Sequence, residues 1–341
     1  MTDTPPAPSP QPSPQQSPRP SSGPSSGPEP SARPRRPAPS GPSLSDRLVA
    51  AGFGAGWALV PHLPERLVAR GFEAAADRLW RGRGPSVRRL EANLARVRGA
   101  SPGDPAVREL SRAGMRSYFR YFHEVFRLPS VPKAEILART HVTGAERIFD
   151  NLERGRGVVL ALPHMGNWDA AGAWLVASGH PFTTVAERLR PESLFRRYTA
   201  FREGLGMEVL PLTGGDGQNF GTLAQRLRSG RPVALPAERD LTAKGIEVAF
   251  FGAATRVPAG PALLAVHTGA ALLPAITYFH GRDWGLDIHE EIEVPAEGTR
   301  QERAAAVAQS LAAVFEKGIA EHPEDWHMLQ RLWLEDLEPR S

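Results

Sequence analysis

From residue 157 onward, short apolar runs alternate with segments of helical spacing. The runs are Gly157–Leu162, Phe182–Ala186, Met207–Leu212, Pro232–Pro236, Val248–Phe251 and Leu272–Thr277. Between them, apolar residues recur every three to four positions over Trp168–Ser178, Pro191–Gly204, Asn219–Ser229 and Pro258–Thr268. Strands that are apolar throughout, alternating with amphipathic helices, predict a central sheet covered by helices on both faces. A closing strand around Leu286–Val294 and a helix over Arg300–Ala320 complete one α/β domain on a mixed sheet, with no internal repeat.

The preceding third reads as helices. Helical periodicity runs through Val87–Arg98 and Ala106–Phe126, the latter with Tyr118, Phe119, Tyr121, Phe122 and Phe126 as core candidates. Before these, Ser45 and Asp46 form a helix cap, and the residues from Leu48 to Val60 carry no charge. At about 1.5 Å per residue that run is too short to cross a bilayer core of about 30 Å. Pro61 and Pro64 interrupt it, and Glu65–Trp80 continues as an amphipathic helix with Leu67, Val68, Phe72 and Leu79 apolar. Residues 46–80 fit two arrangements, a hairpin packed on the core or helices lying on a membrane surface.

Of 34 prolines, 15 lie in the first 42 residues, in a Pro/Ser/Gln/Gly segment nearly free of aliphatic side chains. It cannot bury enough apolar surface to offset chain entropy, so residues 1–43 are expected to be a disordered tail, 44–335 the folded domain and 336–341 a short C-terminal tail. The N-terminal segment lacks the apolar stretch of a signal peptide, which predicts a cytoplasmic address. There is no cysteine, which excludes disulfides and thiol nucleophiles. The net charge of +4 comes without a compact basic run interleaved with aromatics, and no nucleic-acid partner is expected.

The chemistry concentrates in Leu160-Ala-Leu-Pro-His164-Met-Gly-Asn167-Trp-Asp169. A buried strand ends at Pro163, His164 sits in the loop, and a helix begins near Asn167, at the strand end where open α/β sheets bind ligands. With Asp169 in the first helical turn, its carboxylate can fold back to an imidazole N–H, fixing the tautomer and leaving the other nitrogen to take a proton from an alcohol. A second strand ends in Glu238-Arg239-Asp240, whose carboxylates offer another partner for His164. Arg202, at the end of a helix, either caps that helix or clamps a phosphate or sugar. Asn167, Arg202 and Arg239 are the candidate substrate contacts. His322 and His327 are five apart with a proline between, which favours capping and packing over metal ligation. The loop carrying Gly214, Gly215 and Gly217 lacks the Lys-Ser/Thr of a P-loop. No metal or cofactor is expected.

Taken together these blocks resemble the bacterial acyltransferases that include the lipid A late acyltransferases, and within them the phosphatidylinositol mannoside acyltransferases of actinobacteria. The resemblance spans about residues 46–335. It rests on His164–x4–Asp169, Glu187-Arg188-Leu, Arg202 with Gly206-Met-Glu-Val-Leu-Pro, and Glu238-Arg-Asp-Leu. Phe250-Phe-Gly, Thr255-Arg-Val-Pro-Ala-Gly-Pro261 and His322-Pro-Glu-Asp-Trp-His-Met-Leu-Gln330 extend it. It implies a glycerolipid acyltransferase-like fold. The implied reaction is palmitoyl transfer from acyl-CoA to a mannose hydroxyl of a glycolipid, at the cytoplasmic face of the membrane. The resemblance further implies His164 as base, Asp169 and Glu238 as its support, and Arg202 as part of the site. With no cysteine and Met165 beside the base, no acyl-enzyme is required. A thioesterase, a related lipid A-type or glycerolipid acyltransferase, and a non-catalytic lipid-binding protein are the rival readings; the absence of a Gly-x-Ser-x-Gly elbow counts against the hydrolase.

Overall fold

The structure, a computed structural model, describes residues 44–187, 191–212, 219–240 and 244–337. The expected tail of 1–43 and the loop of Gly214, Gly215 and Gly217 lie outside the described residues.

Prolines punctuate the N-terminal helices as the sequence dictates, but α1 already begins at Leu44, so Ser45 and Asp46 lie within it and do not cap it. Helix α1 (Leu44–Leu59) gives way at Pro61 to a 3-10 turn, and α2 (Glu65–Arg81) begins directly after Pro64. Helix α3 (Pro85–Arg98) ends on Gly99, whose φ of 59° supplies the left-handed residue of a C-terminal cap. Asp104 caps α4 (Pro105–Arg127) by accepting the Ala106 N–H at 2.7 Å. Asp77 on α2 takes bidentate bonds from Arg112 and Arg116 on α4, and the two guanidiniums hold its carboxyl well below the usual range. Trp57 settles how α1 sits. Its ring lies 5.2 Å from Phe126 and 5.1 Å from Tyr198, beside Phe53, which contacts Phe122 and Phe126. The uncharged run is therefore docked on α4 and α8 (Glu192–Gly204) through its aromatic face. Leu59, Leu63 and Leu67 stay outside, 60, 46 and 64 % exposed. Among the described residues no helix is long and apolar enough to cross a membrane.

Among the described residues the sheet has seven strands. In spatial order they are β1 (Thr140–Thr143), β9 (Asp283–Ile288), β8 (Ala271–His280), β2 (Val158–Leu162), β5 (Pro232–Pro236), β3 (Thr183–Ala186) and β4 (Glu208–Pro211). The last five run parallel; β9 is antiparallel to β8, and β1 runs with β9, so the sheet is mixed. Strands β2 and β8 are apolar on both faces because each face is covered. Helices α4, α6 (Ala145–Glu153), α7 (Trp168–Ala177) and α8 lie over Val158 and Leu160. On the other face α3, α9 (Asn219–Arg228), α10 (Gly260–Thr268) and α11 (Arg300–Glu321) lie over Val159 and Ala161. Helix α11 opens on a complete capping box, Thr299 with Glu302.

Among the strands two expectations change, and one strand was not foreseen. The run at Val248–Phe251 belongs to β6 (Ile246–Phe250), which pairs with β7 (Ala253–Val257) as a separate hairpin. The closing strand starts earlier, at Asp283, because it hairpins with β8, and its expected C-terminal half leaves the sheet after Ile288. The polar strand β1, preceded by the short helix α5 (Lys133–Arg139), showed no apolar run in the sequence; only its neighbour β9 makes it a strand.

Candidate functional site

The register of β2 and β5 builds the site. Leu162 pairs with Pro236, and both chains leave the sheet there, so two residues later His164 and Glu238 stand side by side. His164 Nδ1 lies 2.8 Å from Glu238 Oε1, which also accepts the His164 backbone N–H at 2.7 Å. Glu238 is fully buried. Burial alone would push its carboxyl up, but the charge and the two N–H groups of His164 outweigh that and hold it below its ordinary value. An ionised Glu238 can only accept, so Nδ1 carries the proton and Nε2 is left as the basic nitrogen.

The loop that holds His164 is fastened on two sides, by the segment Asp325–His327 and by Thr277. The His164 carbonyl accepts the His327 N–H at 2.8 Å, the Gly166 N–H donates to the Asp325 carbonyl at 2.8 Å, and Met165 bridges to Trp326. The Met165 carbonyl accepts from the Thr277 hydroxyl. Gly166 has φ 55°, and a Cβ there would lie 2.6 Å from the Thr277 backbone, so only glycine fits. Trp168 meets the imidazole edge-on, with ring centroids 5.5 Å apart.

Asp169 does not reach His164. Its carboxylate accepts Arg202 Nε at 2.7 Å on one oxygen; on the other it accepts the Tyr121 hydroxyl at 2.7 Å and Arg202 Nη2 at 3.3 Å. Of the two carboxylates that could orient the imidazole, Glu238 makes the bond, because strand register puts Glu238 beside the ring while α7 carries Asp169 1 % exposed into the core. Burial lowers the Arg202 guanidinium, but Asp169 more than reverses it and leaves Arg202 above its ordinary value. Arg202 is thus an internal counter-ion at the cavity wall, not a helix cap.

Asn167, expected to touch substrate, has both side-chain ends occupied. Its Oδ1 caps α7 by accepting the Ala170 N–H at 3.0 Å, and its Nδ2 donates to Glu124 at 2.8 Å. Arg239 donates to Glu187 at 3.3 Å, and both line the cavity. His322 stacks on Tyr278, while buried His327 lies 2.8 Å from the Ser117 hydroxyl, which donates to Asp325 at 2.6 Å. Burial, with the His164 charge nearby, pulls His327 down to about 3, and burial pushes Asp325 up to about 6. Among the described residues no His/Asp/Glu group could hold a metal ion.

His164, Asp169, Arg202, Arg239 and Glu187 all border one cavity of about 630 Å³. Its walls are mostly apolar, with Leu160, Trp174, Leu175 and Phe182 beneath the polar rim. Such a space suits a hydrocarbon chain whose reactive end meets a base at the rim. Sequence reasoning gave no role at the site to Tyr121 and Trp168. Both are bulky aromatics flanking the buried carboxylate, and the aromatic density of α4 was the only signal for Tyr121.

Residues 46–335 match the family described as bacterial lipid A biosynthesis acyltransferase. The chain is 48% identical over 294 residues to a phosphatidylinositol mannoside acyltransferase of Mycolicibacterium smegmatis, an alignment covering 86% of this chain and 94% of that protein. To the protein of that name from Mycobacterium tuberculosis H37Rv it is 49% identical over 290 residues, covering 84% and 88% of the two chains.

Proposed function

The chain belongs to the bacterial lipid A biosynthesis acyltransferase family and is an acyltransferase, and from that premise we propose that it moves a long-chain acyl group, palmitoyl in the reading we favour, from acyl-CoA to a mannose hydroxyl of a phosphatidylinositol mannoside. The observation that carries this reading is the His164–Glu238 pair at the rim of an apolar cavity. The mannose hydroxyl oxygen attacks the thioester carbonyl as its proton passes to His164 Nε2. Glu238 keeps Nδ1–H in place and stabilises the imidazolium that forms. Collapse of the tetrahedral intermediate breaks the C–S bond, and the imidazolium returns the proton to the CoA thiolate. The products are the glycolipid ester and CoA. Asp169 and Arg202 hold the wall beside the base, and Arg239 with Glu187 stands where polar parts of either substrate enter.

Because the acceptor keeps its own acyl chains in a bilayer, the enzyme works at a membrane surface, which we place at the cytoplasmic face. The exposed leucines Leu59, Leu63 and Leu67, with the exposed arginines Arg66 and Arg70, supply the apolar and basic elements of such a contact.

The test is a steady-state assay of purified protein with palmitoyl-CoA and mannosylated phosphatidylinositol, read by mass spectrometry of the lipid product. Wild type forms the acylated glycolipid, and His164→Ala loses about 10²- to 10⁴-fold in rate. Thioester loss that is independent of added acceptor would mark a hydrolase, and a fully active His164→Ala would remove the base.

A further inference from the structure

The apolar part of the cavity has a direction, set by the parallel strands. His164 and Glu238 follow the C-terminal ends of β2 and β5, while Phe182 and Met207 immediately precede the N-terminal ends of β3 and β4. In a parallel sheet these are opposite ends. By strand register Phe182 lies about four residues below Leu162, on the order of 13 Å of strand length. Helix α7 covers this face, running back from the rim toward the far end.

Near the middle of α7 stands Gly172, a residue that weakens a helix and so calls for a local reason. The reason is steric: a Cβ at that position would lie 2.7 Å from the Met207 methyl and 3.0 Å from the Phe182 ring. Gly172 is the gap into which both tips fit. All three residues line the cavity, and Phe182 and Met207 are nearly inaccessible to solvent from outside.

We propose that Gly172, Phe182 and Met207 form the closed end of the acyl lobe and set the length of the unbranched fatty acyl chain the enzyme accepts. This rests on the reading of the cavity as the acyl-donor site. A chain whose thioester carbon reaches the His164 rim extends toward this end, and its terminal methyl meets the Met207 and Phe182 side chains. Removing bulk there lengthens the lobe. Adding a methyl at 172 drives the Met207 tip into it and shortens it.

The test compares kcat/KM for lauroyl-, palmitoyl- and arachidoyl-CoA with the full-length protein and mannosylated phosphatidylinositol. Met207→Ala and Phe182→Leu are expected to raise the arachidoyl-to-palmitoyl ratio about tenfold, and Gly172→Ala to lower the palmitoyl-to-lauroyl ratio by a similar factor. Melting curves accompany each variant, and if Gly172→Ala fails to fold, the two enlarging variants decide. Folded variants that keep the wild-type order of donors overturn the closed end while leaving the acyltransferase reading intact. A wild type that acylates no glycolipid from any donor overturns that reading and the proposal with it.

Discussion

Glu238 and Asp169 are both buried carboxylates within a few residues of strand ends, yet their partners give them different work. Glu238 bonds His164 through the ring and the backbone, whereas Asp169 neutralises Arg202 and accepts from Tyr121. The two neutral isosteres should therefore fail differently. Glu238→Gln removes the charge that stabilises the imidazolium, and kcat is expected to fall about 10²- to 10⁴-fold with a modest change in melting temperature. Asp169→Asn leaves the largely buried Arg202 guanidinium without its counter-ion, which costs up to about 3 kcal/mol of stability given its residual exposure to the cavity. Its activity loss should accompany a clear drop in thermal midpoint. Paired kinetic and melting measurements distinguish the two; an Asp169→Asn protein as stable as wild type would contradict the ion-pair role.

At the level of elements, α1 divides its apolar residues between two surfaces. Phe53 and Trp57 face α4 and α8, whereas Leu59 at its C-terminal end is exposed, as are Leu63 and Leu67 that follow. Trp57→Glu is accordingly expected to undock α1 and lower the melting temperature, since it places a charge among Phe126, Tyr198 and Phe201. The triple change of Leu59, Leu63 and Leu67 to Ser should leave melting unchanged and reduce co-sedimentation with anionic vesicles. Raising the salt should weaken the remaining binding through the exposed arginines. Unaltered partitioning of the folded triple variant would remove this surface from the membrane contact.

For the whole molecule, a buried pair that joins the C-terminal segment to α4 through Ser117 carries two opposed pH dependences. In the folded state His327 titrates near 3 against 6.5 for an ordinary histidine, and Asp325 near 6 against 3.8. For His327 the unfolded chain binds more protons between those values, so its contribution is full above 6.5 and is lost as pH falls toward 3. For Asp325 the folded chain binds more, so its contribution is full below 3.8 and is lost as pH rises to about 6. Between about 4 and 6 the two slopes oppose and cancel. Substituting one member should expose the other, at up to about 1.4 kcal/mol per pH unit. In that window Asp325→Asn becomes less stable as pH falls and His327→Gln less stable as pH rises, as read from chemical denaturation at a series of pH values. Parallel pH profiles for both variants would refute the linkage.

Periodicity alone determined most of the α/β alternation, because strands buried on both faces must be apolar throughout and their covering helices must be amphipathic. The strands β2, β5 and β8 were legible for that reason, β3 and β4 through the shorter apolar runs that contain them, and so was the strand-end position of His164. The polar strand β1 was not, since its pairing with β9 is made by a neighbour more than 140 positions away in the chain. The partner of His164 was likewise a question of register. Local spacing offered Asp169, five positions along, and the end of a second strand offered Glu238; the pairing of Leu162 with Pro236 delivered Glu238 from 74 positions away. Sequence named the residue types the chemistry requires. Which carboxylate meets the imidazole was decided by hydrogen-bonded alignment of two parallel strands, an interaction whose register no short-range pattern encodes.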